Sequence, residues 1–168
     1  SAGEGVVFTG SLSEDTKAVL KPSTATSKVE WTAGDKVSVF AGTSHYEYKA
    51  DEAGATSTLS PVGASSLADE YIAVYPYDAA ATLSNGTVTT TLPAEQTAVL
   101  ESFSHHLAIA HSTTLTLGFR NVCALLCVDI AESDVTKVVF SGNQNEAVAG
   151  KINITSAGAW TAVEPAKS

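Results

Sequence analysis

"KVEWTAGDKVSVF", residues 28–40, sets the period of the chain. Val29 and Trp31 alternate with Lys28 and Glu30, Ala33 to Lys36 supply a turn, and Val37 and Val39 share the next face with Ser38 between them. Side chains that alternate at every second residue stand on opposite sides of an extended backbone, so the stretch predicts strand, turn and strand.

The same period continues outward. In "HYEYKA", residues 45–50, Tyr46 and Tyr48 oppose His45, Glu47 and Lys49. "YIAVYPY", 71–77, reads as a strand ended by Pro76, which has no N–H to give a central ladder. Asn85-Gly86 lies between Leu83 and Val88 and predicts a two-residue hairpin, because both positions tolerate positive φ. "HLAIAHS" (106–112), "TLTLGF" (114–119), "TKVVF" (136–140) and "AGKINI" (149–154) add further strands. Short apolar runs parted by Gly, Ser, Asn and Asp predict an all-β protein, an antiparallel sandwich or barrel, and the reading adopted is an antiparallel β-sandwich of about seven or more strands with little or no helix. The one helix candidate is "PAEQTAVLESF", 93–103, with Pro93 in the first turn.

"VCALLCV", residues 122–128, holds the chain's two cysteines. In a helix they would share a face; in a strand they stand roughly 13 Å apart, beyond the reach of a disulfide. Leu115, Leu117 and Phe119 form one row, the row breaks at Asn121, and Val122, Ala124, Leu126, Val128 and Ile130 take over in the other phase. That pattern predicts a strand carried past a bend or bulge, with Cys123 and Cys127 as small buried hydrophobes and an apolar strand covered on both faces.

Composition narrows the function classes. The net charge is -9 with a pI near 4.7, and Arg120 is the sole arginine, so the surface repels phosphate backbones and nucleic acid is not an expected partner. No run approaches the ~20 apolar residues of a membrane-spanning helix, and the start "SAGEGVVFTG" lacks a basic segment followed by an apolar one. Residues 1–27 read as an extended leader with strand character only at Val6 to Phe8 and Ala18 to Leu20; residues 28–168 read as one β-sandwich domain.

Several stretches together resemble the fimbrillin-like (Mfa/FimA-like) superfamily of surface and pilus subunits of Gram-negative anaerobes, in its N-terminal domain. They are "VEWTAGDKVSVF" (29–40), "YIAVYPYD" (71–78), "LPAEQTA" (92–98), "GFRNVCALLCVDI" (118–130) and "FSGNQNEAVAGKINI" (140–154). The resemblance implies an exported lipoprotein of the cell surface or outer membrane, made as a lipid-anchored precursor and acting as a fimbrial subunit or anchor in adhesion. Its partners would be other fimbrial subunits or host and bacterial surface ligands. It also implies assembly by strand donation, in which a leader strand is removed by proteolysis and a neighbour's strand fills the vacated groove. Two features depart from the family pattern: the leader carries Lys17, Lys21 and Lys28 but no arginine, the residue after which the best-known members are matured, and the family's second β-domain is not expected within 28–168.

No constellation predicts catalysis. His105, His106 and His111 flank "LAIA", but on a strand His105 and His111 lie about 20 Å apart, with no Cys or carboxylate at ligand spacing. Asp129, Glu132 and Asp134 lack a calcium-loop pattern, and the neighbours Asp51-Glu52 and Asp69-Glu70 point to opposite faces if extended. Ser44 beside His45 is adjacent in sequence, an arrangement that seldom builds a nucleophile and its base. The sequons at Asn85 and Asn153 mark surface turns or strand ends. The reading therefore names no catalytic, cofactor-binding or metal residue and no cofactor, and expects a non-enzymatic structural or adhesive protein. The rival is a carbohydrate-binding module, for which Tyr71, Tyr75 and Tyr77, in one phase of their strand, would have to be exposed.

Overall fold

The computed structural model describes residues 5–12, 29–97, 106–123, 128, 130–144 and 146–163. Among these residues there are eleven strands and no helix. In chain order they are β1 (Phe8–Leu12), β2 (Lys36–Ala41), β3 (Ser44–Ala50), β4 (Thr56–Pro61), β5 (Tyr71–Tyr75), β6 (Thr82–Ser84), β7 (Thr87–Leu92), β8 (Ala108–Ser112), β9 (Thr116–Asn121), β10 (Gly150–Thr155) and β11 (Trp160–Ala162).

Seven of them close into a barrel in the order β1-β4-β3-β2-β5-β8-β9, and β11-β10-β7-β6 form a separate sheet. The expected all-β class stands; of the two architectures the sequence allowed, the β-sandwich adopted above gives way to a closed barrel with a second sheet packed on it. Closure is the work of β1, which pairs antiparallel with β4 and parallel with β9 and so leaves neither edge free.

Two apolar clusters hold this arrangement. Inside the barrel, alternate residues of each strand converge, among them Phe8, Val37, Val39, Tyr48, Leu59, Tyr71, Leu117 and Phe119. Between barrel and sheet, Phe40, Ile72, Val74 and Ile109 meet Val88, Ile152 and Ile154. Every residue of β5 is buried, since one phase faces the barrel interior and the other faces the sheet. "YIAVY" is thus covered on both sides, while the cover expected for "VCALLCV" turns on residues 124–127, outside the described residues.

Local chemistry explains the joints. Gly34 adopts φ 93° in the turn before β2, where Asp35 N–H donates to Thr32 O at 2.9 Å and Asp35 Oδ2 accepts from Thr32 N–H. Asn85 (φ 48°) and Gly86 (φ 72°) make the two-residue hairpin between β6 and β7. β5 ends at a cis Tyr75-Pro76 bond, and Tyr77 N–H returns to Lys36 O at 2.8 Å.

Three expected elements differ. The strand at Val29 and Trp31 shrinks to a single bridge, Trp31 with Gly54, because the indole is spent on the barrel interior. "TKVVF" finds no ladder partner among the described residues and remains irregular, with Val139 72% and Phe140 62% exposed. The strand expected through 122–130 stops at Asn121: Val122 N–H bonds Leu107 O at 2.7 Å, Val122 and Cys123 pack on the second cluster, and Val128 and Ile130 are exposed. Residues 124–127, with Cys127, lie outside the described residues, as do Ala18 to Leu20 and residues 98–103 of the helix candidate; 93–97 are irregular.

Candidate functional site

The site builds on β1, whose pattern "FTGSL" sends Phe8, Gly10 and Leu12 inward. Phe8 packs edge-on against Tyr48 (centroids 5.2 Å apart) and Tyr71 (4.8 Å). Trp31, itself edge-on to Tyr75 and Phe119, donates Nε1–H to Gly10 O at 3.0 Å. Gly10 is required there by space: a Cβ would lie 2.7 Å from Leu59 Cδ1, and Leu59 is fully buried.

Polar groups fix the approach to the strand. Tyr48 donates its hydroxyl to Val6 O at 2.9 Å, and Val6 N–H donates to Ser65 Oγ at 2.8 Å. Thr9 N–H meets Leu115 O just before β9, and Leu12 N–H meets Ala55 O just before β4. No charged side chain occurs in residues 5–12. What β1 occupies is a slot lined by aromatic side chains, with ladder groups on both sides.

The tyrosines weighed for sugar stacking are divided by the fold. Tyr71 and Tyr75 are buried in the barrel, where burial and then the Asp35 charge push the Tyr75 phenol up to about 12. Tyr71 OH accepts from Ala68 N–H at 2.9 Å. Tyr77 is half-buried beside His45, which stacks on Phe40 at 4.4 Å.

The remaining candidates do not converge. His105 and Asp129 lie outside the described residues; Glu132 and Asp134 are exposed. His106 is buried against Tyr75 at 4.8 Å, and desolvation lowers its pKa to about 4. His111 is exposed and meets Glu70 Oε1 at 2.6 Å. Asp51 accepts from Ser60 Oγ and Glu52 from Thr58 N–H, so both carboxylates brace the turn before β4. His45 is taken up in its stack, with burial lowering its pKa against the opposing pull of Asp78. Cys123 is half-buried and free, and burial pushes its thiol up, away from the reactive thiolate. Among the described residues no group of three or more His, Cys, Asp or Glu is placed to hold a metal ion, and no helix is long and apolar enough to cross a membrane.

The sequence reading did not single out the closing strand. The signal was present in the alternation Phe8, Thr9, Gly10, Ser11, Leu12, but Gly10 masks it because glycine contributes nothing to an apolar count. Asn153 also departs from expectation, lying inside β10 with its Oδ1 accepting from Thr89 Oγ1 at 2.6 Å.

Compared with known proteins, the chain matches no protein-family model, no curated protein and no solved structure.

Proposed function

We propose that this is a non-enzymatic, exported cell-surface protein of fimbrillin-like type, a fimbrial subunit or anchor that joins its partners by exchange of a barrel strand. The supporting observation is β1: the strand that closes the barrel comes from the chain's N-terminal segment and meets the rest in a slot walled by Trp31, Tyr48, Leu59, Tyr71 and Phe119. Withdrawal of such a strand bares apolar side chains and two rows of unpaired N–H and C=O groups, which a strand of similar pattern from another subunit satisfies at once. A lipid-anchored precursor and an outer-membrane location belong to the same reading.

The test cuts the folded chain. A specific protease site is inserted between residues 17 and 28, the full chain is purified and cleaved, and a fluorescent peptide of residues 5–14 is added. Retention of the cut segment, its slow replacement by the labelled peptide, and growth of oligomers once it is lost support strand exchange. A cut chain that sheds the segment and stays monomeric and folded overturns the proposal.

A further inference from the structure

We propose that the free edge of β11 joins a second copy of this chain, β11 to β11 and antiparallel, so that the sheet continues into its counterpart across a two-fold axis at Thr161. The inference stands apart from strand exchange: β11 and β1 lie in different sheets, and the contact needs no strand to leave the barrel.

The barrel is closed, but the β11-β10-β7-β6 sheet is open, and β11 forms one of its edges. Register shows which backbone groups of that edge are free. Val163 N–H bonds Lys151 O at 2.9 Å and Thr155 N–H bonds Ala159 O at 2.8 Å, so residues 159, 161 and 163 turn their backbone groups toward β10. The N–H and C=O of Trp160 and Ala162 therefore point to the open side. Antiparallel pairing about Thr161 uses every one of them, because it sets Trp160 opposite Ala162 of the second copy, and Ala162 opposite its Trp160, as pairs that exchange both backbone bonds.

The side chains fit the same register. Trp160 and Ala162 pair with Ile154 and Ile152 and so belong to the barrel-facing phase of the sheet, yet all three residues of β11 are exposed. This edge reaches past the cover that the barrel gives to its neighbours. Trp160 is left 51% exposed, an uncommon state for the largest apolar side chain. In the pair each indole stands across from a methyl group, large against small on both sides of the axis, and apolar surface leaves water. On the other face Thr161 meets Thr161 of the second copy, a favourable cross-strand pair.

Charge names the occupant as a second copy. Residues 156–163 hold no charged side chain in a chain of net charge -9, so two identical edges bring no like charges together at the seam. Repulsion between the acidic bodies is screened at physiological salt. β11 also lacks the proline and the charged side chains that keep natural edges apart. Its hairpin is held in place beforehand: Ala159 N–H bonds Thr155 Oγ1 at 3.2 Å, and Arg120 Nη1 donates to Ala157 O at 3.2 Å.

The intact chain is followed by sedimentation velocity from about 1 μM to about 1 mM in about 0.15 M salt, where small interfaces form and dissociate. The expected result is a reversible monomer–dimer equilibrium, weakened roughly tenfold or more by Ala162→Pro. That change removes an N–H aimed at the second copy and none that bonds β10, so the hairpin keeps its ladder. Trp160→Glu, which keeps every backbone group, weakens the dimer to a similar degree, and each variant unfolds at the parent's temperature when dilute. Cross-linking fixes the register. Across the axis the two Thr161 Cα atoms lie roughly 4.5 Å apart, within disulfide reach, so Thr161→Cys gives a covalent dimer under mild oxidation. Thr89→Cys, on the same face but on β7, gives no more than the parent chain. A chain that stays monomeric throughout, a dimer untouched by Ala162→Pro and Trp160→Glu, or cross-linking no greater in Thr161→Cys than in Thr89→Cys overturns the assignment.

Discussion

Thr90 on β7 donates its hydroxyl to Asp78 Oδ2 at 2.8 Å, and through that carboxylate the sheet is tied to the barrel. Asp78 Oδ1 accepts from Ala80 N–H, and the Asp78 backbone exchanges bonds with Ser38 Oγ of β2, giving at 3.2 Å and receiving at 3.4 Å. Ser38 and Thr90 are both buried polar residues, so each needs this partner. Asp78→Ala is expected to cost about 2 kcal/mol, the range for charged hydrogen bonds, and Thr90→Val about 1 kcal/mol. Urea denaturation of both singles and the double variant checks the link: the double should cost less than their sum.

Burial of His106 makes stability depend on pH with a definite sign. Its pKa falls from 6.5 to about 4 on folding, so between those values the unfolded chain binds the proton and the folded chain does not. The contribution is complete above 6.5 and is lost as pH drops toward 4, amounting to on the order of 3 kcal/mol. Denaturation midpoints at pH 7 and pH 4.5 should differ by less in His106→Phe than in the parent chain.

Gly10 admits no side chain without displacing Leu59. Gly10→Ala is expected to lower stability by about 1–2 kcal/mol, in the range of overpacked cores, and Phe8→Ala by about 3–4 kcal/mol through the cavity it leaves between Tyr48 and Tyr71. Hydrogen exchange localises both effects: amides of β4 and β9 should lose protection ahead of β2 and β5.

Val135, Val138, Val139 and Phe140 are all exposed within one short segment. Such a patch is sticky. Val139→Lys with Phe140→Ser is expected to reduce dye binding and concentration-dependent association while shifting the unfolding temperature little, as read by fluorescence and sedimentation.

The period-two pattern was enough for β2, β3, β5 and the hairpin at Asn85-Gly86, because in each the turn chemistry and the alternation agree. It failed where tertiary context decides. Trp31 alternates like a strand residue yet leaves the ladder to fill the barrel, and "TKVVF" has strand composition but no ladder partner among the described residues. Closure was hidden because it depends on β1 meeting both β4 and β9, contacts separated by long stretches of chain. The aspartate of "YIAVYPYD" was visible as a letter, but its bond to Thr90 follows only once the sheet lies against the barrel. Trp160 carried no pattern of its own; only register sets it opposite Ile154.

The parallel seam between β1 and β9 has a mechanical consequence. A terminal strand at an open edge unzips, one rung at a time, under modest force. Here tension along β1 loads the β4 and β9 ladders together, so that the rungs resist in shear and yield as a group. A joint of this geometry holds under steady pull, and an unladen strand can still fray from its end and be replaced.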